Sequence, residues 1–306
     1  MRRKRVVKGV IVIMLLQALL TACAAIGRIG EREYRIIDIE IYKNTPAWEL
    51  AKAVKKQDVK KIAQIAEETP KLLDYQDPTY GSTLLYWSVG MEKYKSTEAL
   101  LKGGANPDII SVYEGGTPLY RAANYSLIDN DAKKDPKYVK LLLEYGADPN
   151  IGFIGDGVSN ITEIGTTPLM KSIGCGIEKT RALVEAGADI NYRTEEGETA
   201  ALMALRGGGP NSTIERLRYA HYLIVEKHAD VTRPWFLASG EPRQPVRLLR
   251  KWIYELDSEE YKLKMEIVEA CAKQGEDYWA TEIIEKELET IKKRFPDTWE
   301  EYIKVY

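Results

Sequence analysis

The stretch YVKLLLEYGADPN, Tyr138–Asn150, determines the architecture of this 306-residue chain. Val139, Leu142 and Leu143 fall at helical spacing, so one face of the segment is apolar. Gly146 follows the apolar run at the position where a left-handed residue ends a helix. The letters ADPN that come next are turn formers. The stretch therefore predicts a short amphipathic helix that ends in a turn.

Related phrases recur along the chain, in two alternating forms. The first form is GSTLLYWS from Gly81, GGTPLYRAA from Gly115, GTTPLMKS from Gly165 and GETAALMA from Gly197. The second form is GGANPD from Gly103, YGADPN from Tyr145, AGADIN from Ala186 and KHADVT from Lys227. A Thr-Pro pair begins a helix well, because proline fits the first turn and threonine caps it. Each unit is thus predicted to be helix, loop, helix and turn, and stacked units bury one continuous core.

This pattern resembles the ankyrin repeat, whose units open on G-x-TPLH and close on LLLxxGADVN. The resemblance implies an all-α solenoid of about five to six helix-turn-helix units with a C-terminal helical cap. Weaker matches at Thr45–Glu68 and Gln244–Gly275 resemble a first capping unit and a degenerate last unit, and Asp277–Tyr306 is expected to form the cap. The histidine of TPLH is replaced throughout, which predicts a less stable stack. The replacements are Tyr86, Tyr120, Met170, Leu202 and Arg247.

The first 23 residues have the layout of an export signal. Basic residues come first, then the apolar run Val10–Leu20, then small residues before Cys23. The run is too short for a finished membrane span. Leu20-Thr21-Ala22-Cys23 resembles the lipobox of bacterial lipoproteins, which implies that Cys23 is acylated, with palmitate among its acyl chains, and becomes the new N-terminus. The alternative is an ordinary signal peptide with an incidental cysteine.

These features predict four segments and a location. Residues 1–22 are the signal peptide, 23–44 a lipidated tether, 45–240 the repeats, and 241–306 the degenerate unit and cap. Ala24, rather than aspartate, follows the cysteine, which in lipoproteins is similar to the pattern that sends the protein to the outer membrane. We therefore expect a lipid-anchored protein on the periplasmic side of the outer membrane.

The charge distribution bears on the class of partner. The whole chain has 44 basic and 46 acidic residues, but five of the basic ones precede Glu31 in the signal segment. They are Arg2, Arg3, Lys4, Arg5 and Lys8. Their removal leaves 39 basic residues and a net charge of −7. This argues against a nucleic-acid partner. It is compatible with a basic protein partner, although mild acidity is also usual for soluble surfaces.

No pattern predicts catalysis, a cofactor or a metal. The chain has two histidines, His221 and His228, and no H-E-x-x-H or paired C-x-x-C motif. We therefore expect no enzyme activity, no cofactor and no metal site. Cys175 and Cys271 fall two layers apart in the repeat register, beyond disulfide distance, so both thiols are expected to be unpaired and Cys271 buried.

Binding is expected on the hairpin loops and first helices, where ankyrin repeats usually bind proteins. A long insertion, Ile151–Gly165, carries apolar residues that either fold back or meet a partner. Tyrosines near the loops are either interface anchors or half-buried packing residues. Acids on neighbouring tips would form a stripe for a basic partner. The candidates are Tyr113, Glu114, Tyr120, Tyr125, Phe153, Ile154, Ile161, Tyr192, Glu195 and Glu196.

Three hypotheses of function follow. The first is a non-enzymatic envelope protein that binds a partner protein, in its sharpest form an immunity protein that neutralises a periplasm-acting toxin such as a phospholipase. The second is a scaffold or chaperone-like factor for another periplasmic protein. The third, an enzyme, has the least support. The choice of an immunity role rests on analogy with other anchored inhibitors.

Overall fold

The computed structural model describes residues 36–125, 134–155, 162–207, 214–236 and 241–306. Within them the chain forms successive pairs of short helices. The α-helices are α1 (Trp48–Lys56), α2 (Val59–Glu68), α3 (Leu84–Gly90), α4 (Tyr94–Lys102), α5 (Pro118–Ala123), α6 (Lys137–Glu144), α7 (Pro168–Ser172), α8 (Ile177–Glu185), α9 (Ala200–Arg206), α10 (Ile214–Ala220), α11 (Glu259–Lys273), α12 (Glu285–Arg294) and α13 (Trp299–Val305). The 3₁₀ segments are Ile39–Tyr42, Pro70–Leu72 and Pro245–Lys251, and α10 continues into a π-helix, His221–Glu226.

The helices stack in two rows. Helices α1, α3, α5, α7 and α9 pack side by side, and the 3₁₀ segment Pro245–Lys251 extends this row. The second helices of each pair, α2, α4, α6, α8, α10 and α11, form the other row. A single apolar core runs between the rows. The core includes fully buried leucines from four central units, Leu100, Leu142 and Leu183 on α4, α6 and α8 and Leu223 on the π-helix that continues α10.

Threonine caps begin the central helices of the first row, as the sequence predicts. The side chains of Thr83, Thr117, Thr167 and Thr199 each accept a hydrogen bond from the backbone amide three residues later, at 3.1–3.3 Å. These amides would otherwise have no partner, because the first turn of a helix offers them no carbonyl. The predicted helix starts are therefore confirmed.

Hydrogen bonds from backbone amides to side-chain oxygens join the turns of successive units. They run from Asn106 N to Asp74 Oδ1 (2.8 Å), from Asp148 N to Asp108 Oδ1 (2.9 Å), from Asp189 N to Asn150 Oδ1 (2.7 Å) and from Asp230 N to Asn191 Oδ1 (2.9 Å). At the last unit the direction reverses, and Gln274 Oε1 accepts the amide of Val231 (3.1 Å). We call this series the Asx ladder. It fixes each turn against its neighbour.

The N-terminal segment lies against the first units, one of two possibilities that its sequence leaves open beside a spacer role, but it does so as a helix. The alternation in YRIIDIEIY favours a strand, but Ile39–Tyr42 is a 3₁₀ helix whose Ile39, Ile41 and Tyr42 are buried. The Tyr42 hydroxyl donates to the Ser82 carbonyl (2.7 Å), and Trp87 Nε1 donates to the Ile37 carbonyl (3.0 Å). From residue 36 onward, the predicted tether therefore packs against the first units, because burial of its aromatic and aliphatic side chains outweighs strand propensity.

The C-terminal end is closed by the predicted cap. Arg250 donates to the carbonyls of Tyr278 (3.0 Å) and Tyr306 and to Thr281 Oγ1 (2.9 Å). Lys264 is fully buried, with Nζ 3.9 Å from the centre of the Tyr306 ring. Burial, and secondarily the Arg250 charge, hold the pKa of Lys264 well below its usual value. Among the described residues, no helix is long and apolar enough to cross a membrane.

The Asx ladder predicts a difference between two asparagine substitutions. Asn150→Ala removes an acceptor that joins two units, so we expect the free energy of unfolding to fall by about 1 kcal/mol. Asn106→Ala removes only a bond inside its own turn, to the Asp108 amide, and should cost less than about 0.5 kcal/mol. Urea unfolding at constant m-value measures both, and equal losses would contradict a role for the ladder between units.

Candidate protein-binding surface

The loops that join one unit to the next project as fingers. We number them by sequence: finger 1 is 74–82, finger 2 is 106–116, finger 3 is 148–166 (described at 148–155 and 162–166), and finger 4 is 189–198. Each begins at a rung of the Asx ladder and ends at or just before the threonine cap of the next first-row helix. Their two ends are thus held by hydrogen bonds before any contact between tips.

Fingers 1 and 2 are joined along their backbones. The amide of Tyr113 donates to the Tyr80 carbonyl (2.9 Å), and the amide of Val112 donates to the Gly81 carbonyl (3.3 Å). The rings of Tyr80 and Tyr113 meet edge to face, with centroids 4.9 Å apart. Inside finger 1, buried Asp77 accepts three backbone amides. These bonds make the pair of fingers a preformed surface.

Finger 3 folds back onto finger 2. The amide of Ile154 donates to the Gly115 carbonyl (2.9 Å), and the amide of Phe153 donates to the Thr166 carbonyl (2.9 Å). The Phe153 ring is buried and stacks on Tyr120 at 5.8 Å between centroids. Phe153 and Tyr120 are therefore not exposed anchors. The apolar residues of the insertion were expected either to fold back or to meet a partner, and Phe153 folds back. Ile161 lies outside the described residues.

Exposed aliphatic side chains remain on the tips of fingers 2 and 3. Val112 is 65% exposed, Ile164 63% and Ile154 56%, and Tyr113 is 36% exposed beside them. A β-carbon on Gly155 would lie 3.6 Å from the Ile164 side chain, so Ile154 and Ile164 occupy the same part of finger 3. We call Val112, Tyr113, Ile154 and Ile164 the finger patch.

Sequence reasoning named Tyr113 and Ile154 but missed Val112 and Ile164. The available signal was an isolated aliphatic residue in a polar stretch near the finger glycine, as in SVYEGG and TEIGT. Periodicity gives no information there, because the fingers contain neither a helix nor an extended run of strand. Exposure in these loops depends on which residues the neighbouring finger covers.

The predicted acids lie on two fingers, Glu114 on finger 2 and Glu195 and Glu196 on finger 4. The Glu114 carboxylate is 3.5 Å from the Tyr86 hydroxyl, which donates to it from α3. Glu195 and Glu196 lie at the tip of finger 4, and the Glu196 amide donates to the Glu163 carboxylate of finger 3 (2.9 Å). Finger 3 separates the two groups of predicted acids and contributes Glu163, which the sequence analysis did not name, so the acidic stripe stays a prediction.

The other two tyrosines differ in position. Tyr192 is half-buried, and its hydroxyl would lie 3.0 Å from a β-carbon on Gly165, so it packs between fingers 3 and 4. Tyr125 follows α5, and its hydroxyl donates to the Gly174 carbonyl (2.6 Å) in the loop between α7 and α8. Tyr125 is therefore at the opposite end of its helix from the fingers and is separate from the finger patch.

The described residues offer little for catalysis. His221 Nε2 lies 2.6 Å from the Glu266 carboxylate, which pairs α11 with the π-helix. Across the described ranges, no group of three or more His, Cys, Asp or Glu residues is placed to hold a metal ion. Cys175 and Cys271 are free and Cys271 is buried, as predicted, while Cys175 is buried as well. Burial raises the pKa of the Cys271 thiol to about 12.

Comparison with known proteins agrees with the repeat architecture. The family model described as the ankyrin repeat matches residues 114–152. Ankyrin repeat protein L91 of Acanthamoeba polyphaga mimivirus is 29% identical over 111 residues, which are 36% of this chain, and the chain spans only 16% of that relative's length. A crystal structure of the ankyrin repeat protein EF0377 gives a TM-score of 0.48 at 19% identity, covering 75% of this chain and 99% of that one.

The stacked helix pairs and the family match together establish the fold. The chain forms an all-α ankyrin-repeat solenoid, as the sequence predicts. Ankyrin repeats bind proteins, so the function supported at this level is protein–protein interaction.

The close packing of fingers 2 and 3 depends on Gly115, which has a φ of +69°. A β-carbon there would lie 2.6 Å from Phe153 Cε2 and 2.8 Å from the Gly155 carbonyl carbon. Gly115→Ala should therefore lower the free energy of unfolding by about 3 kcal/mol through backbone strain plus displacement of finger 3.

Gly146→Ala is the matched control for this substitution. Gly146 has a φ of +83° but open space around its α-carbon, so it should lose only about 1–2 kcal/mol. Hydrogen exchange of the Ile154 amide should accelerate in Gly115→Ala and stay unchanged in Gly146→Ala. Unchanged exchange in both variants would show that finger 3 does not depend on finger 2.

Proposed function

We propose that this chain is a lipid-anchored binding protein of a bacterial cell envelope, and that its finger patch contacts a partner protein. The observation that supports binding is the exposure of Val112, Ile154 and Ile164 on two bonded fingers. Single exposed aliphatic residues are common on protein surfaces, whereas adjacent ones on ordered loops are typical of interaction sites.

Preorganisation favours the fingers over other exposed apolar positions. Backbone hydrogen bonds fix finger 2 to finger 1 and finger 3 to finger 2. Binding to such loops costs little conformational entropy, because the backbone is already ordered. Tyr113 adds an aromatic side chain with few rotatable bonds, a type enriched at interfaces.

The proposed location in the cell envelope rests on the N-terminal sequence. The basic start, the short apolar run and Leu20-Thr21-Ala22-Cys23 together support acylation of Cys23. Two or more acyl chains give stable membrane attachment. Cys23 lies outside the described residues, so the structure adds only that the fold begins by residue 36. Thirteen Cα-to-Cα steps separate Cys23 from Ile36, and they span at most about 45 Å.

An immunity role is the sharper form of this proposal. An anchored inhibitor must be located in the cell envelope and must have a rigid recognition surface. It needs no catalytic centre of its own. The sequence supports the first requirement and the ordered fingers the second. The partner would be a toxin that acts in the periplasm, such as a phospholipase. A scaffold role would use the same surface on a resident envelope protein, so the identity of the partner decides between them.

Photocrosslinking tests the binding surface in the cells that make this protein. With p-benzoylphenylalanine in place of Ile154, we expect a crosslinked product of discrete size when cells make the partner. The matched control is the same probe in place of Val59, an aliphatic residue of α2 that is 43% exposed in the second row. Equal crosslinking from both positions, or none from Ile154, would contradict binding through the finger patch.

Acylation is tested by metabolic labelling with an alkyne-bearing palmitate. The full chain should incorporate the label and sediment with membranes, and Cys23→Ala should lose both properties. Cys175→Ala, which removes a buried thiol, serves as the control and should retain both. Labelled Cys23→Ala protein would show that the lipobox interpretation is wrong.

A further inference from the structure

We propose that the surface that occupies the finger patch is a cationic polypeptide segment, with apolar side chains flanked by lysine or arginine. This inference rests on the proposed function, because it specifies the chemistry of the protein that the fingers bind. It is carried by the distribution of charge around the patch and by how each carboxylate is held.

Charge on the four fingers is strongly one-sided. Their described residues contain ten acids and a single base, Arg193. The acids are Asp74, Asp77, Asp108, Glu114, Asp148, Glu163, Asp189, Glu195, Glu196 and Glu198. The whole chain, by contrast, has 46 acids and 44 bases. The excess is therefore a property of this surface and does not follow from the overall composition.

The described contacts leave most of these carboxylates without a cation. Asp77, Asp108 and Glu163 accept backbone amides, which donate a hydrogen bond but carry no net charge. In the described part of the chain, only Glu198 pairs with a base, Arg206. The field of these carboxylates is thus not offset by partner cations, and it adds up along the row of fingers.

The single base on the fingers is turned toward a neighbouring loop. Arg193 Nη2 donates to the Pro234 carbonyl, beyond finger 4. Lys171, on the first-row helix behind finger 3, has its Nζ 5.6 Å from the centre of the buried Tyr120 ring and donates to Thr162 Oγ1 of finger 3 (3.5 Å), so it contacts no finger carboxylate in these bonds. Neither cation stands between the finger patch and solvent in these contacts. The patch is consequently an apolar centre with an acidic rim.

Such an arrangement selects the chemistry of the occupant. An apolar centre favours aliphatic or aromatic side chains, and a rim of one sign attracts the opposite charge and repels its own. Nucleic acid and anionic membrane surfaces are repelled, and so is an acidic protein segment. A segment that combines apolar side chains with lysine or arginine fits both the apolar centre and the acidic rim, with its bases near Glu114, Glu195 and Glu196.

Selection from a random 16-residue peptide display library tests this inference with the full chain purified in detergent. We expect enriched peptides to combine apolar residues with an excess of lysine and arginine. Ile154→Ser should abolish their binding, whereas Val59→Ser should leave it unchanged, because Val59 lies in the second row.

Neutralising the rim separates charge from apolar contact. The triple variant Glu114→Gln, Glu195→Gln, Glu196→Gln should weaken binding of the selected peptides about tenfold and reduce its dependence on NaCl concentration. The matched control is Glu49→Gln, Glu67→Gln, Glu68→Gln, three exposed acids of the first unit, which should change neither.

The outcomes distinguish the two proposals. Peptides that need Ile154 but are neutral or acidic, or that are insensitive to the triple rim variant, would overturn the cationic occupant and leave the proposed function standing. Peptides that bind Ile154→Ser as well as the unaltered chain, or a selection that enriches none, would overturn the cationic occupant here. An Ile154 probe that also gives no crosslink in cells removes the proposed function itself.

Discussion

The rest of the structure depends on one constraint, which is that the backbone amide at the base of each finger must find an acceptor outside its own unit. The Asx ladder meets this constraint at four successive junctions, with an aspartate or asparagine of the preceding unit as acceptor. Unpaired backbone donors are costly, so the ladder fixes the register in which units stack. Only at the last junction does a residue of the following unit, Gln274, supply the acceptor.

The sequence predicts those parts of the fold that repeat. Threonine caps, turn glycines and buried leucines recur with the period of the units, and each was found where the pattern places it. Features that occur only once in the chain were harder to predict from the sequence. The alternation in YRIIDIEIY predicts a strand, but no strand forms there, because Tyr42 and Trp87 donate hydrogen bonds to residues 40 and 50 positions away in sequence. The burial of Phe153 likewise depends on Tyr120, in the preceding unit. The local sequence pattern gives no information about such contacts between residues far apart in the chain.

The π-helix shows how one extra residue is accommodated in this architecture. In three units the alanine after the turn glycine donates to a leucine carbonyl five residues earlier, as Ala147 does to Leu142. In the unit of α10, Ala229 donates to Leu223, six residues earlier, and His228 takes the left-handed position with a φ of +57°. The inserted residue widens the helix at His221–Glu226, and Leu223 keeps its place in the core. The spacing between motifs does not reveal such a residue, since a loop and a widened helix lengthen the chain equally.

Packing at the N-terminus relates the proposed anchor to the proposed binding surface. The segment that begins at residue 36 lies against α3 through the bond between Ile37 and Trp87, and the finger patch is carried by the next two fingers along the stack. Helix layers are roughly 10 Å apart, so only roughly 20–30 Å of rigid protein separates the point where the tether joins the fold from the patch. On the proposal that Cys23 is acylated, the anchor lies within about 45 Å of residue 36, and the fingers would work close to the membrane surface. An enzyme that acts on lipid works at the membrane surface, so the fingers would reach it there. A scaffold that holds proteins farther from the membrane would need a longer tether. Geometry therefore favours a partner that is itself found at the membrane.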